Sequence, residues 1–202
     1  ALSASLDLQP TLETIIHFAQ ERTGADEAAV ILLNETTGAF ECPTAVGVNV
    51  DVRRNWSVRP NDVNSIITWA FTERKTARAG DVHTESPWRE LYDPVDPRVV
   101  SEMDVPLVAP DGAAVGVINL ECFRAHAFGP DEQRFIETLA GQAVLALRNA
   151  QAYEREQRVA NEREALVEIQ FTGTLAQLEQ SLARQGLGFS TLGGVAEVRQ
   201  AR

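Results

Sequence analysis

The stretch from Gly116 to Phe135, GVINLECFRAHAFGPDEQRF, contains most of the side-chain types that carry out chemistry in proteins. A segment that alternates like a β-strand holds an amide, a carboxyl group and a thiol, and a histidine and an acid pair follow it. Carboxyl groups and histidine can transfer protons, and a thiolate can act as a nucleophile or a metal ligand. The residues concerned are Asn119, Glu121, Cys122, His126, Asp131 and Glu132. What they can do depends on the elements that position them.

The acid pair Asp131 and Glu132 predicts the start of a helix rather than a catalytic pair. Pro130 precedes them and suits the first helical position, where its missing N–H costs nothing. Acids in the first turn interact favourably with the helix dipole, by about 0.3–1 kcal/mol each. We therefore assign both carboxylates to helix capping.

Period-two alternation separates the two faces of the strand in this stretch. Asn119 and Glu121 lie on one face, whereas Cys122 lies on the other, which is wholly small or apolar. Polar groups on a buried sheet face must be hydrogen-bonded. We therefore expect Asn119 and Glu121 to bind a ligand, the covering loop or water.

The thiols and histidines show no pattern typical of a reactive or metal site. Cys42 and Cys122 form no CxxC pair, and two cysteines in 202 residues do not make a disulfide framework, so we expect both to be reduced and buried. His17, His83 and His126 share no ligand spacing with one another or with either cysteine. The sequence predicts no metal site.

The acidic composition limits the classes of partner. The chain has a formal net charge of -11 and a pI near 4.7, which disfavours binding to nucleic acids and to anionic membrane surfaces. It has no apolar run of the roughly 18 residues that a membrane span needs, and it does not begin like a signal peptide. We expect a cytoplasmic protein that binds a small effector or another protein.

Two hairpins and three helices account for most of the chain. The opening helix follows SLDLQP, with Pro10 in its first turn, and ends at Gly24. Residues 28–33 and 39–48 read as a hairpin, and the segment SEMDVPLVAPDGAAVGVINLECF reads as a second one. Between them, Asp62 can cap a helix whose apolar stripe has Trp69 at its margin. The stripe consists of Val63, Ile66, Ile67, Ala70 and Phe71.

Residues 81–100 form the longest irregular stretch, with at most one short helix. Long structured loops inside compact domains are often functional. His83 enters this loop, and Trp88 and Tyr92 lie four residues apart within it. These side chains can line a ligand cavity or plug the open face of the sheet.

The last third of the chain is predicted to be one long helix. From Pro130 onward, apolar residues recur in steps of three and four, as in a coiled coil. The positions expected to form the dimer face are Ala146, Ala150, Tyr153, Ala160, Val167, Phe171 and Leu178. The glycines of GLGFSTLGG, residues 186–194, end the helix.

Four segments together resemble the GAF domains of sensor kinases, phosphodiesterases, phytochromes and transcriptional activators. They are SLDLQPTLETIIHFAQERTGADEAAVILL, SEMDVPL, AAVGVINLECF with AFGPDEQRF, and LAGQAVLALRNAQAYERE, and they extend from residue 3 to about residue 155. The resemblance implies an α+β fold, with a central antiparallel β-sheet of about five or six strands. N- and C-terminal helices would cover one face, and loops and short helices would enclose a ligand pocket on the other. It further implies a GAF domain at 1–153, a coiled-coil signalling helix at 154–185 and a flexible tail or linker at 186–202.

The resemblance also indicates the kind of function. We expect a sensory domain without enzymatic activity that binds a small molecule through Trp69, His83, Trp88, Tyr92, Asn119 and Glu121. It would form a homodimer through its terminal helix and act on a kinase, phosphodiesterase or transcriptional output domain outside this chain. The alternative is a ligand-free module for dimerisation or protein interaction.

Cofactor and enzyme relatives within the family suggest further tests of the residues. Bilin-binding members attach the pigment to a cysteine that precedes a histidine, whereas Cys42 precedes Pro43 and Cys122 precedes Phe123, so no covalent bilin is expected. Free-methionine sulfoxide reductases carry reactive cysteines in the loop before the VPL strand, and residues 83–100 contain none. The ligand is unknown, and haem contacted by His83 stays open.

Overall fold

A computed structural model of the chain describes residues 2–55, 57–61, 64–92, 96–184, 187–192 and 195–200. Within these ranges, side chains are described from residue 8 to residue 163 and for a few later helical positions. The chain divides into two compact units, Ala1–Ala152 and Tyr153–Arg202.

The first unit is built on a six-stranded antiparallel sheet with the strand order β3-β2-β1-β6-β5-β4. The strands are β1 (Glu27–Asn34), β2 (Ala39–Val46), β3 (Ser57–Val58), β4 (Ala77–Ala79), β5 (Ser101–Val108) and β6 (Ala114–Cys122). The helices are α1 (Leu2–Thr23), α2 (Val50–Arg54), α3 (Ile66–Glu73), α4 (Trp88–Leu91) and α5 (Pro130–Arg184). The predicted α+β fold is confirmed.

The main hydrophobic core lies between the sheet and the two terminal helices. Ile16 of α1 and Ile136 of α5 are fully buried against Ile118 and Leu120 of β6. Cys122 belongs to the same core, as the alternation of β6 predicted. Among the described helices, none combines the length and the apolar composition that a membrane crossing requires.

Both predicted hairpins form, and short polar side chains shape their turns. Between β1 and β2, the side-chain oxygen of Asn34 accepts hydrogen bonds from the amides of Thr36 and Thr37 at 2.9 and 3.1 Å. Between β5 and β6, the carboxylate of Asp111 accepts one from the Ala113 amide at 3.0 Å. Local turn chemistry therefore fixes the register of both hairpins.

The opposite face of the sheet is covered by α3, α4 and the long loop around α4. Helix α3 begins at Ile66 with Ser65 as its N-cap, and Ser65 and Thr68 form a reciprocal capping box. The predicted cap at Asp62 is therefore wrong, because the helix starts three residues later than the apolar pattern indicated. Asp62 itself and Val63 lie outside the described residues.

Helix α1, in contrast, begins earlier than predicted. It starts at Leu2, so Pro10 lies inside the helix rather than in its first turn. A proline there removes one backbone hydrogen bond, and tertiary packing outweighs this loss. Leu12, Ile15, Ile16 and Ala19 immediately after it are all buried in the core.

The second unit contains the remainder of α5 and a two-stranded hairpin. Strands β7 (Leu187–Leu192) and β8 (Val195–Gln200) pair antiparallel. From the sequence we predicted a helix ended by glycines and followed by a flexible tail, without this hairpin. Glycines are typical both of flexible tails and of hairpin turns, so the glycines of residues 186–194 did not distinguish the two.

Close packing between β1 and β6 makes Gly116 a sensitive position. A Cβ at residue 116 would lie 2.3 Å from the carbonyl oxygen of Ile31 and 2.8 Å from a methyl carbon of Leu32. We expect Gly116→Ala to lower the free energy of unfolding by about 1–3 kcal/mol through overpacking, measured by urea denaturation. In the matched control Gly141→Ala, nothing lies within 4 Å, so this helical position is expected to gain about 0.5–1 kcal/mol. A Gly116→Ala protein as stable as the wild type would contradict the packing argument.

Candidate functional site

A group of acidic and amide side chains lies on the sheet face opposite the terminal helices. The antiparallel register places Glu102 directly opposite Glu121, and Asp104 directly opposite Asn119. On the other side of β6, Glu121 is paired with Glu27 of β1. Three glutamates therefore lie side by side on adjacent strands, at a spacing of about 4.8 Å per strand.

These side chains are almost completely removed from solvent. Glu27 and Asp104 are fully buried, and Glu102 and Glu121 are no more than 5% exposed. We call Glu27, Glu102, Asp104 and Glu121 the carboxylate cluster. Like charges directly opposite one another destabilise a sheet, so the cluster requires compensating donors or protons.

Arg53 supplies most of the compensation on one side of the cluster. It projects from the short helix α2, and its Nε donates to Glu27 Oε2 at 2.9 Å. Its Nη1 donates to Asn119 Oδ1 at 2.9 Å, and its Nη2 is hydrogen-bonded to Glu121. Although burial alone would lower the pKa of Arg53, the carboxylates of Glu121 and Glu27 raise it, so the guanidinium stays charged.

Among the described residues, the other side of the cluster has an amide but no cation. The Asn119 side-chain nitrogen donates to Glu102 Oε1 at 3.2 Å and to Asp104 Oδ1 at 2.9 Å. Asp104 Oδ2 is buried and has no donor among the described residues, and the Asp104 carboxyl group interacts with that of Glu102. Burial raises the pKa of Asp104 to about 7, and burial together with the charges of Asp104 and Glu121 raises that of Glu102 well above its usual value. At neutral pH this pair therefore holds a proton.

A second polar group borders the cluster. Asn49 Nδ2 donates to Glu27 Oε1 at 2.5 Å and to Asp96 Oδ2 at 2.8 Å. Arg98 pairs with Asp96 through its Nε at 3.0 Å, and these bonds lower the pKa of Asp96. Tyr92 donates its hydroxyl hydrogen to the Asp96 carbonyl at 3.2 Å. This group connects the carboxylate cluster to the loop before β5.

The predicted aromatic residues lie together beside the cluster. The rings of Trp69 and Trp88 meet edge to face, with centroids 5.0 Å apart, and those of His83 and Tyr92 do so at 5.5 Å. Trp69, Trp88 and Tyr92, which we call the aromatic cluster, pack against a small core. That core consists of Ile66, Ala70, Ala77, Ala79 and Val82. The structure thus brings the loop aromatics together with α3 and β4.

Tyr92 lies between the carboxylate cluster and the aromatic cluster, whereas the His83 ring nitrogen is hydrogen-bonded to the backbone. Burial raises the pKa of the Tyr92 hydroxyl, and the nearby carboxylates of Glu121 and Glu102 raise it further. His83 Nε2 lies 2.9 Å from the carbonyl oxygen of Val99 and is engaged there. Of the predicted ligand residues, Tyr92, Asn119 and Glu121 therefore share one site.

The predicted dimer face divides into two parts. Ala150 is buried and Ala146 half-buried within the first unit, so these two positions contribute to the domain's own packing. In the second unit, Tyr153 and Ala160 are exposed. The side chains of Val167, Phe171 and Leu178 lie outside the described residues. Dimerisation through this face stays a prediction.

Both cysteines are free, buried and poorly suited to nucleophilic chemistry. Burial raises the pKa of the Cys42 thiol to about 11. Burial also raises the pKa of Cys122, whose Sγ lies 3.1 Å from Asp26 Oδ2. A thiol with a raised pKa is protonated and inert at neutral pH.

Sequence reasoning identified only the β6 part of this site. Applying the same period-two alternation to SEMDVPL places Glu102 and Asp104 on one face, a signal that was available but not used. Arg53 has no comparable signal, since it lies on a five-residue helix far away in the sequence. Its role depends on tertiary folding.

Fold and site together define an α+β domain in which helices close one face of an antiparallel sheet and a buried polar site occupies the other. Residues 7–147 match the profile of the GAF domain family. This match spans well over half of the chain, and the chain belongs to the GAF domain family. No curated protein sequence matches it.

Solved structures with the same fold come from several kinds of protein. The GAF domain from the Acinetobacter phosphoenolpyruvate-protein phosphotransferase is 16% identical, with 72% of this chain and 85% of that chain covered at a TM-score of 0.64. A methyl-accepting chemotaxis protein fragment is 19% identical, covering 73% and 92% at a TM-score of 0.61. The type II free methionine-R-sulfoxide reductase from Thermoplasma acidophilum is 15% identical, covering 73% and 96% at a TM-score of 0.62. At these identities the likeness concerns the fold alone.

Proposed function

We propose that this protein is a regulatory GAF domain that binds a small molecule on the sheet face carrying the carboxylate cluster. The observation that carries the proposal is the buried, incompletely paired cluster itself. Buried ionisable groups are costly to maintain, and perturbed acids in a folded site are typical of ligand-binding or catalytic positions. The fold shared with a chemotaxis protein and a phosphotransferase system protein supports a regulatory role.

The chemistry of the site supports binding rather than catalysis. Both thiols have raised pKa values, which disfavours the thiolate that a reductase of the methionine sulfoxide type would need. The carboxylates are engaged with Arg53 and Asn119 and lie in a buried layer. We propose that these groups recognise a ligand and that the protein has no enzymatic activity.

Transmission is proposed to run through α5. Part of this helix packs against the sheet whose other face carries the carboxylate cluster, and it continues without interruption to Arg184. A ligand that prefers one packing of sheet and helix would bias the pairing of two such helices in a homodimer. The output domain would lie outside this chain.

A charge placed on the predicted dimer face tests this part of the proposal. We expect the full chain to scatter light with twice its 22.1 kDa mass. Ala160→Glu is expected to weaken dimerisation by at least about tenfold, because it forces a charge into the helix interface. Asn161→Glu is the control, since it introduces the same charge one residue away, on another side of the helix. A monomeric wild type, or two variants that dimerise equally, would contradict dimerisation through this face.

A ligand-free interaction module is the second candidate. The edge-to-face packing of Trp69 with Trp88, and of both with the small core beneath α3, favours it, since side chains then fill space that a ligand would use. Native mass spectrometry of the purified protein separates the two. A small molecule retained at one per chain supports the sensor, whereas a bare chain that binds no compound favours the interaction module.

A further inference from the structure

The two ends of the carboxylate cluster differ in their charge balance. Arg53 directs its Nε, Nη1 and Nη2 hydrogen bonds to Glu27, Asn119 and Glu121. None of these bonds reaches Glu102 or Asp104. Four buried carboxylates are thus accompanied by one buried guanidinium, and the shortage of positive charge is located at the Glu102–Asp104 end.

Asp104 shows the shortage at the level of a single atom. Its side chain is fully buried, Oδ1 accepts from Asn119, and Oδ2 has no donor. The amide of Asn119 has only two N–H groups, and both are already donated to Glu102 and Asp104. The proton that Glu102 and Asp104 share supplies this bond while the pair is protonated, and a donor from elsewhere is required once that proton is lost.

The neighbours of this end are small and apolar. Ala77 pairs with Asp104 and Ala79 with Glu102 across β4 and β5, and both alanines belong to the core under the aromatic cluster. Tyr92 of that cluster is close enough to the carboxylates of Glu121 and Glu102 for their charges to raise its pKa. A partner for Asp104 therefore meets carboxylates on one side and methyl groups and aromatic rings on the other.

We infer that the site takes a small organic ammonium ion, whose N–H groups bind Asp104 and Glu102 and whose apolar body lies against Ala77, Ala79 and Tyr92. This inference rests on the proposed small-molecule site and specifies its ligand. Carboxylates beneath an aromatic surface suit a cation of this kind, which gains both charge-assisted hydrogen bonds and cation–π contact. An anionic ligand would instead meet like charges, and the described acidic side chains form no group that could hold a metal ion.

Binding is coupled to protons, because the ammonium ion replaces the proton that Glu102 and Asp104 share. The groups near this pair are Asn119 and Glu121 from β6, Arg53 from α2 and Tyr92 from the loop before β5, and Glu27 from β1 lies next to Glu121. From β4 only Ala77 and Ala79 face it. Since protons compete below the Asp104 pKa of about 7, the affinity for the cation is expected to fall about tenfold per pH unit there.

Titration calorimetry on the full chain at pH 8 tests the inference, with n-butylammonium as the probe. Butyrate and n-butanol have similar shapes but carry the opposite charge or none, and we expect both to bind at least about tenfold more weakly. Tetramethylammonium keeps the charge without N–H groups and is also expected to bind more weakly. The affinity for n-butylammonium should fall about fivefold between pH 7 and pH 6 and about tenfold between pH 6 and pH 5.

Asp104→Asn and Glu102→Gln are each expected to weaken n-butylammonium binding at least about tenfold, because each removes one charge that the ammonium ion needs. Glu41→Gln, an exposed acid on β2 of the same sheet, is the matched control and should leave the affinity unchanged. Circular dichroism checks that each variant is folded, and the two cluster variants serve as independent tests.

Three results would overturn the inference: no n-butylammonium binding at pH 8, equal binding of n-butanol, or an affinity that Asp104→Asn and Glu102→Gln both leave unchanged. A neutral or anionic molecule that native mass spectrometry finds bound would also overturn it, while leaving the small-molecule site itself standing. A chain that binds no compound at all would remove both.

Discussion

Arg53→Met is expected to lower the free energy of unfolding by about 3–5 kcal/mol at pH 7, the largest loss we expect from a single substitution in this protein. Removing one partner of a buried ion pair leaves the opposite charge uncompensated, which typically costs that amount. Here two carboxylates, Glu27 and Glu121, lose their cation together. Methionine retains much of the length of the arginine stem, so the change isolates the charge more cleanly than alanine.

Urea denaturation of Arg53→Met, with Arg54→Met as its control, measures this effect. Arg54 is the next residue on the same short helix and is exposed, so its replacement is expected to change stability by no more than about 0.5 kcal/mol. The cost of Arg53→Met should also shrink at pH 5, because glutamates left without a cation take up protons more readily. Equal effects of the two substitutions would show that Arg53 does not compensate the cluster.

Features of the fold that depend on neighbouring residues could be predicted from the sequence, whereas features that depend on tertiary contacts could not. Hairpins could be predicted because their turns depend on neighbouring residues, such as Asp111. Period-two alternation placed Asn119 and Cys122 on the correct faces of the strand. Helix starts were less certain, because both Asp62 and Ser65 are good N-cap residues and only the folded sheet selects Ser65. The start of α1 was mispredicted because Pro10 was taken as a first-turn residue. The loss of one hydrogen bond at Pro10 is small compared with the packing of the residues that follow it.

The site was harder to predict than the fold because its residues are distant in sequence. Glu102 and Asp104 were recognisable from alternation alone, whereas the pairing of Glu27 with Glu121 requires the strand order. Arg53 becomes a functional candidate only when α2 is placed over the sheet. Polar residues that meet from four separate segments leave no local pattern, so only the tertiary structure reveals the imbalance of charge.

The same imbalance predicts an unusual dependence of stability on pH. The Asp104 pKa is raised from 3.8 to about 7 by burial, so below pH 4 both the folded and the unfolded chain hold this proton. As the pH rises from 4 to 7, the unfolded chain releases the proton while the folded chain retains it, and stability falls. Above pH 7 the full cost is present, about 4 kcal/mol by the standard conversion.

Asp104→Asn is therefore expected to make the protein more stable than the wild type at pH 8, by up to about 4 kcal/mol, and about equally stable at pH 4. Asparagine keeps the acceptor that Asn119 uses and replaces the Oδ2 acceptor, which has no donor, with an amide nitrogen that donates. Unfolding by urea at a series of pH values measures the difference, with the exposed Asp51→Asn as a control expected to stay within about 0.5 kcal/mol. A cation that binds at this end of the cluster would raise the free energy of unfolding of the wild type but not that of Asp104→Asn. If the difference between Asp104→Asn and the wild type does not change from pH 4 to pH 8, Asp104 does not hold a proton in the folded state, and the Glu102–Asp104 end of the cluster does not lack positive charge.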